Sequence, residues 1–506
     1  MKRALLWFDT RRLATAILFV AVFAMAVRAP ADTDTWWHLR AGQTTLESGR
    51  ILQADVFSHT RYGSPWVNHS WLSQVILYWL FDHFSYAGLG LWMGAVVTVA
   101  FAFVYLQMEG DVFTRAFIVV LAAATSSVIW SARPQLFSFL LAAVVAYLLY
   151  LFKWRRINRL WLLPPLFVLW VNLHAGYALG FMLLAAFVAG EVLNHLLALV
   201  APSDDPVVGW RGIGMVVGVA ILSALLLAVN PNTTRMWTYY LETVHIGVLQ
   251  DFIQEWQSPN FHPLYTQPFI WLLLATLAAM GLSGRRADGT DLVLVGGFAY
   301  AALLAGRNFG PFALVTAPVL SRHVAVFLRQ GDKETRGQGD IFPVSPAPRP
   351  LRPSARRGAI NLGLLVLIVS LAGVKVCQPL RPAFNEALQR ESLPVGAVEW
   401  VQAHRPAGKM FNEYNWGGYL IWRLWPDYRV FVDGRTDLYG DEILRDYVEI
   451  QAAGPRYEEL LDEYEVSFAL TRAGGVLSVV LGHTPGWQLA YEDHTAVVYV
   501  RDGEER

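Results

Sequence analysis

Only 16% of the 506 residues are charged and 55% are hydrophobic, with a mean hydropathy of +0.37. A soluble domain carries about 25% charged residues, so this chain is too apolar to live wholly in water. Its 40 basic and 40 acidic residues cancel, which excludes a general attraction to nucleic acid, and its one cysteine, Cys377, excludes an internal disulfide or a multi-thiolate metal site.

A helix needs roughly 20 mostly apolar residues to cross a hydrocarbon core. In chain order, eleven segments meet or approach that requirement: 13–28, 87–107, 115–131, 135–152, 160–172, 176–199, 213–229, 267–283, 290–305, 309–328 and 358–375. The fifth is short and holds Pro164-Pro165. Lys2, Arg3, Arg11 and Arg12 precede the first and set the N-terminus in the cytoplasm. With Ala29-Pro30-Ala31 behind it, that first segment also has the outline of a cleavable signal peptide. Cleaved or not, it delivers the next residues outside.

Alternating from there, the inside loops contain Lys153-Trp154-Arg155-Arg156 with Arg159, then Arg285-Arg286. A third, the 329–357 linker, carries Arg329, Lys333, Arg336, Arg349, Arg352, Arg356 and Arg357. The short outside loops hold one arginine each: Arg133, Arg235 and Arg307. This bias matches the excess of basic residues in cytoplasmic loops. Loops 108–114 and 200–212 carry acids and are uninformative. The Pro- and Arg-rich 341–356 stretch is expected to be a disordered cytoplasmic linker.

From about 376 the pattern changes. Strand-like runs at Arg429–Val432, Val466–Leu470, Gln488–Tyr491 and Ala496–Val500 alternate with helical patterns at Ala397–Ala403 and Tyr457–Tyr464. The expected fold is mainly α, a polytopic membrane domain over 1–375 with about eleven transmembrane helices. A small soluble α/β domain over 376–506 follows, placed outside by parity. The expected location is a bacterial inner membrane.

This threading puts Asp32, Asp34, His38, Asn68, His69, Arg133, Gln135, Asn172, His174, Asn230, Asn232, Arg235, Arg307 and Asn308 on one side. Ionisable groups near membrane depth persist mainly where they line a cavity or pathway. Ordinary helix-end punctuation explains Gln135 or Asn232 taken singly; the set as a whole asks for more.

The loop over 29–86 holds the sharpest signal, Asp32-Thr33-Asp34-Thr35-Trp36-Trp37-His38-Leu39 and then Trp66-Val67-Asn68-His69-Ser70-Trp71-Leu72. Asp34 or Thr35 can cap a helix running to about Ser48, with Gly49 ending it. Trp36, Trp37, Trp66, Trp71 and Trp79 suit amphipathic segments lying along the headgroup layer. In an extended stretch Asp32 and Asp34 point the same way, and an early helix start puts Asp34 and His38 on one face. The plainer reading makes Asp34 a helix cap, Asp32 a solvated loop residue, and His38 and His69 interfacial hydrogen-bonding residues. Asp32, Asp34 and His38 also offer ligands to a divalent cation, though their spacing is not diagnostic.

Asp32-x-Asp34-x-Trp36-Trp37-His38-Leu39 behind a single span, with Trp66-x-x-His69-x-Trp71-Leu72, resembles the GT-C superfamily of integral-membrane glycosyltransferases. It also looks like a related group of bacterial membrane proteins whose distal domain carries stretches like Asn415-Trp416-Gly417-Gly418-Tyr419-Leu420 and Val432-Asp433-Gly434-Arg435. The resemblance implies transfer of a sugar from a polyprenyl-phosphate carrier to an extracytoplasmic glycan, lipid or protein, usually with inversion. Asp34 is then the general base, and Asp32 orients the acceptor or binds a metal. Sidedness and charge, not a family motif, suggest Arg133, Arg307 and His174 or Arg235 to receive the phosphate, with His38, His69 and Asn308 completing the binding set. Gly417-Gly418 and Asp433-Gly434-Arg435 fit an acceptor-binding loop or plain turn chemistry.

No nucleotide-binding fingerprint appears, so a nucleotide-sugar donor has no support. A transporter or flippase needs polar residues along its spans, whereas Leu140–Tyr150 and Leu183–Val188 are almost wholly apolar. A non-catalytic assembly protein using the α/β domain for binding is the remaining reading. The distances among Asp32, Asp34, Arg133 and Arg307 discriminate it from an enzyme.

Overall fold

The computed structural model describes residues 8–200, 205–244, 247, 254–337 and 355–503, and each of the eleven predicted segments is helical in it. α1 (Thr10–Ala26) starts where the Asp9 carboxylate accepts from the Arg12 amide. α2 (Asp34–Ser48) ends at Gly49 in the left-handed conformation (φ 64°). α3 (Trp71–Leu106) is kinked at Ser85 (φ 53°), and only the half beyond the kink matches the predicted span at 87–107. The first half packs against α2 so closely that a Cβ on Gly42 would lie 2.2 Å from the Gln74 carbonyl oxygen.

There follow α4 (Val112–Ser126), α5 (Gln135–Lys153), α6 (Leu163–Leu173), α7 (Tyr177–Ala198), α8 (Trp210–Leu226) and the short α9 (Tyr239–Val244). α10 (Gln267–Leu282), α11 (Gly289–Leu304), α12 (Phe309–Gly337) and α13 (Ala355–Leu380) complete the bundle. Among the described residues, six helices are long and apolar enough to cross a bilayer: α3, α4 with the turn after it, α5, α7, α12 and α13. α6, α8, α10 and α11 are equally apolar but shorter. The chain is a multi-pass membrane protein. Small residues let the helices approach, as where Gly190 of α7 meets the backbone of Thr290 in α11.

The linker expected from 329 begins later, because Arg329–Gly337 holds no proline and extends α12. Residues 338–354, the bulk of the linker, lie outside the described residues.

Past α13 come α14 (Pro382–Ser392), α15 (Val395–His404), β1 (Lys409–Asn412), α16 (Gly417–Leu424), α17 (Thr436–Gln451) and α18 (Tyr457–Glu463). β2 (Val466–Arg472), α19 (Val476–Leu481), β3 (Trp487–Glu492) and β4 (Ala496–Arg501) finish the domain. The four-stranded sheet has the order β1-β2-β4-β3, with β1 parallel to β2 and the other pairs antiparallel. Three predicted strands are present. The fourth, Arg429–Val432, is corrected: Val430 bonds to the backbone of Phe57 and His59 in the loop after α2 instead. The first place in the sheet goes to β1, which the sequence reading passed over. Trp36 and Trp37 of α2 share one continuous core with Trp416, Tyr419, Leu420 and Phe468, so the α/β domain is docked on the bundle.

Candidate functional site

The start of α2 leaves the Asp34 carboxylate out of the helix cap. Asp32 Oδ1 accepts from the Asp34 amide at 3.0 Å, so the local turn is closed by Asp32 and not by Asp34. Asp34 therefore does not serve as the helix cap, and its carboxylate turns to Arg133, with Nη2 3.1 Å from Oδ2. Arg133 Nη1 lies 3.1 Å from Asp32 Oδ2 and 3.2 Å from Glu255 Oε1. One guanidinium thus serves three carboxylates. The turn that carries it is pinned by Gln135 Nε2, which donates to Ile129 O and Ser131 Oγ, both at 3.0 Å.

The α/β domain presses on the same spot. A Cβ on Gly434 would fall 1.9 Å from Asp34 Oδ1, and one on Gly418 would fall 2.4 Å from the Thr33 carbonyl oxygen. Gly417 is right-handed helical (φ −51°), so this glycine pair allows close approach and does not form a left-handed turn. Beside Gly434, the buried Arg435 grips Asp433 with two bonds, at 2.8 and 2.6 Å, and reaches Asp55 at 2.6 Å. Tyr439 donates to Asp433 at 2.6 Å, and Asp55 accepts from the Phe57 and Ser58 amides. This closed network fixes the domain to the loop between α2 and α3.

Between bundle and domain lies a cavity of about 1070 Å³. Asp32, Asp34, His38, His69, Arg133, His174 and Arg307 all line it. Arg235 and Asn308 do not: Arg235 is exposed on the turn after α8, and Asn308 donates to Ala301 O at 2.8 Å, closing the end of α11. Asn172 and Asn230 tie loops together through backbone carbonyls, which is a structural task. Sequence reasoning missed Glu255, Trp256, Tyr414, Asp437 and Arg472, which also line the cavity. The only signal was for Tyr414, which adjoins the Asn415-Trp416-Gly417 motif.

Burial pushes Asp34 up to about 6, with Arg133 working against the rise and Asp32 and Glu255 adding to it. Burial opposes the charge on Arg133, yet the three carboxylates outweigh it and hold its pKa well above the ordinary value. His38 and His174 lie well below the usual imidazole range and His69 is lowered, all chiefly through burial. They are neutral at pH 7. The Gly176 amide donates to His174 Nδ1 at 3.0 Å, which leaves the proton on Nε2. Arg307 stacks on Trp256 at 4.2 Å and is lowered by burial, with Glu255 partly offsetting. Among the described residues no carboxylate lies within ion-pair distance of Arg307. Tyr414 is raised well above the phenol range by burial, with Asp34 the next cause.

The carboxylates do not fit a metal ion as they stand. Asp32, Asp34 and Glu255 converge on a point that the Arg133 guanidinium already fills, and among the described residues no group of three or more His, Cys, Asp or Glu side chains is placed to hold one.

No protein-family model matches the sequence, and no curated protein matches it. Solved structures match over nearly its whole length. The oligosaccharyltransferase of Archaeoglobus fulgidus in its apo form aligns with a TM-score of 0.55 at 12% identity, covering 98% of this chain and 75% of that one. The same protein, AglB, in complex with an inhibitory peptide and a dolichol-phosphate, gives identical figures. Its complex with Zn and sulfate gives 0.51 at 13% identity over 96% and 73%. This chain shares the fold of that oligosaccharyltransferase.

Proposed function

We propose that this protein is a membrane glycosyltransferase that moves a sugar from a polyprenyl-phosphate-linked donor to an acceptor hydroxyl, with inversion, on the extracytoplasmic face of a bacterial inner membrane. The observation that carries the reading is one cavity holding both a partly buried carboxylate raised to about 6 and an arginine without an ion-pair partner among the described residues. The acceptor oxygen attacks the anomeric carbon and its proton passes to Asp34. The bond from that carbon to the phosphate oxygen breaks, and its electron pair leaves with the polyprenyl phosphate. Arg307 and the Nε2–H of neutral His174 meet the charge that develops on the phosphate. Asp32 orients Arg133 and, through it, the base. The α/β domain supplies the far wall for the acceptor through Tyr414, Asp437 and Arg472.

What supports a lipid-phosphate donor is the shared fold with AglB, which is solved with a dolichol-phosphate and with an inhibitory peptide. A flippase reading loses ground because the opposite end of the bundle is closed by the buried ion pairs of Lys153, Glu191 and Asp288.

The reading is tested in proteoliposomes with polyprenyl-phosphate sugars and the Asp34→Asn variant. Transfer should fall by about 10²–10⁴-fold with insertion and expression intact; full activity in that variant removes the proposed base. Sidedness is tested by a reporter fused in the turn at Arg133, which should read extracytoplasmic. A cytosolic reading overturns it.

A further inference from the structure

We infer that Arg133 is the built-in cation of this site, doing for Asp32, Asp34 and Glu255 what a divalent metal ion would do, so that transfer proceeds without one. The inference rests on the reading of the cavity as a glycosyl-transfer site. It begins from geometry: Nη1 meets Asp32 Oδ2 and Glu255 Oε1 at 3.1 and 3.2 Å, and Nη2 meets Asp34 Oδ2 at 3.1 Å. A guanidinium offers five N–H donors in a rigid fork and stays charged at every working pH. It can therefore draw three carboxylates to one centre as a point cation does, but with fixed directions.

Arg133 is held there. It sits on the short turn before Pro134, and Gln135 anchors that turn through Ile129 O and Ser131 Oγ. A hard divalent cation needs six or more oxygens at about 2.0–2.6 Å. To collect the three carboxylates it would have to displace the guanidinium or stand beside it, like charge against like charge. The neighbouring polar groups are already engaged. Asn68 and Gln74 pair reciprocally at 2.9 and 2.8 Å, and Gln74 also faces His38 Nδ1 at 3.4 Å. Asp55 and Asp433 belong to Arg435.

Two consequences follow for catalysis. Arg133 is a positioning residue: it orients Asp34 through Oδ2 and touches no reacting atom. The phosphate then depends on Arg307 and His174, since Arg133 is committed to carboxylates. The roles assigned to the two arginines on sequence grounds therefore separate.

The experiment uses the full-length protein in detergent and Mn²⁺ as the probe, with binding followed by electron paramagnetic resonance and transfer assayed in parallel. The wild type should bind no Mn²⁺ and keep its transfer rate within twofold in excess EDTA. Arg133→Ala leaves three carboxylates facing an open space and should gain a Mn²⁺ site, which disappears when Asp34→Asn is added. Arg133→Lys keeps the charge and should bind no Mn²⁺, which separates loss of the cation from loss of the arginine shape. If Arg133→Ala does not fold, the wild-type EDTA assay and Arg133→Lys still decide. Wild-type transfer lost in EDTA and restored by Mn²⁺, or a wild-type Mn²⁺ site abolished by Asp34→Asn, overturns the inference. The absence of transfer by any form, with Mn²⁺ bound only by Arg133→Ala, overturns the proposed function while leaving the cation assignment standing.

Discussion

Among the described residues, a cation is surrounded by carboxylates at each end of the bundle, and the two clusters are finished differently. At the end away from the cavity, Lys153 Nζ lies 2.5 Å from Glu191, 2.6 and 2.7 Å from the two Asp288 oxygens and 3.0 Å from Thr290. All three charged side chains are fully buried. Their remaining lone pairs are taken by the Val208 amide on Glu191, by Asn194 on Asp288, and by the first amides of α11, which Asp288 caps. At the other end, Arg133, Asp32 and Asp34 each keep about a fifth of their side-chain surface open and Glu255 keeps half. A buried network with every group satisfied fixes helices in place; one that opens on a cavity keeps a carboxylate that can exchange a proton. Both are one cation among carboxylates, a lysine with two in the sealed cluster and an arginine with three in the open one. Completion separates the pin from the candidate site.

Breaking the sealed cluster gives the largest expected effect. Lys153→Met leaves Glu191 and Asp288 buried without their cation and should destabilise the protein by about 3–5 kcal/mol. Thermal unfolding in detergent measures this, and the rate per folded molecule should be unchanged. A melting temperature equal to wild type would mean that the pin carries no stability. Arg307→Gln is expected to do the reverse. Removing one donor to the developing phosphate charge should lower kcat by about 10²–10³-fold, equivalent to about 2.7–4 kcal/mol in the barrier, with the melting temperature little changed. Steady-state kinetics with a polyprenyl-phosphate donor read it, and an unchanged kcat would return the phosphate to Arg133.

The contrast also marks what a sequence can disclose. The eleven helices were legible because sustained hydrophobicity over a helix length is a local signal. The carboxylates of the first loop were legible as a spaced pair between tryptophans. Glu255 was not, because one acid in a polar loop has no signature until the fold carries it to Arg133, 122 residues away. Arg435 read as part of a turn for the same reason: its partner Asp55 lies 380 residues earlier in the chain. Arg429–Val432 has the residues of a strand, yet it pairs with the loop at Phe57–His59 and leaves the sheet to β1. Local propensity chose the conformation there, and tertiary contact chose the partner.

The smallest effect separates the two ends by proton exchange. As the proposed base, Asp34 must be ionised to accept a proton, and burial lifts it to about 6 against an ordinary 3.8, with Arg133 opposing the rise and Asp32 and Glu255 supporting it. Transfer should therefore reach a plateau above pH 7 and fall roughly tenfold per pH unit well below 6. The stability consequence has the opposite sign from that of a salt-bridged carboxylate. A group whose pKa is raised on folding binds its proton more tightly in the folded state, so its charge disfavours folding above pH 6, and this penalty fades as pH falls toward 4. Asp34→Asn should consequently be more stable than wild type at pH 8, by on the order of 1–3 kcal/mol, and lose that advantage between pH 6 and pH 4. Unfolding curves for both proteins across that window measure it. A variant less stable than wild type at pH 8 would mean that the pull of Arg133 outweighs the burial of Asp34, and the open cluster would then be a pin like the sealed one.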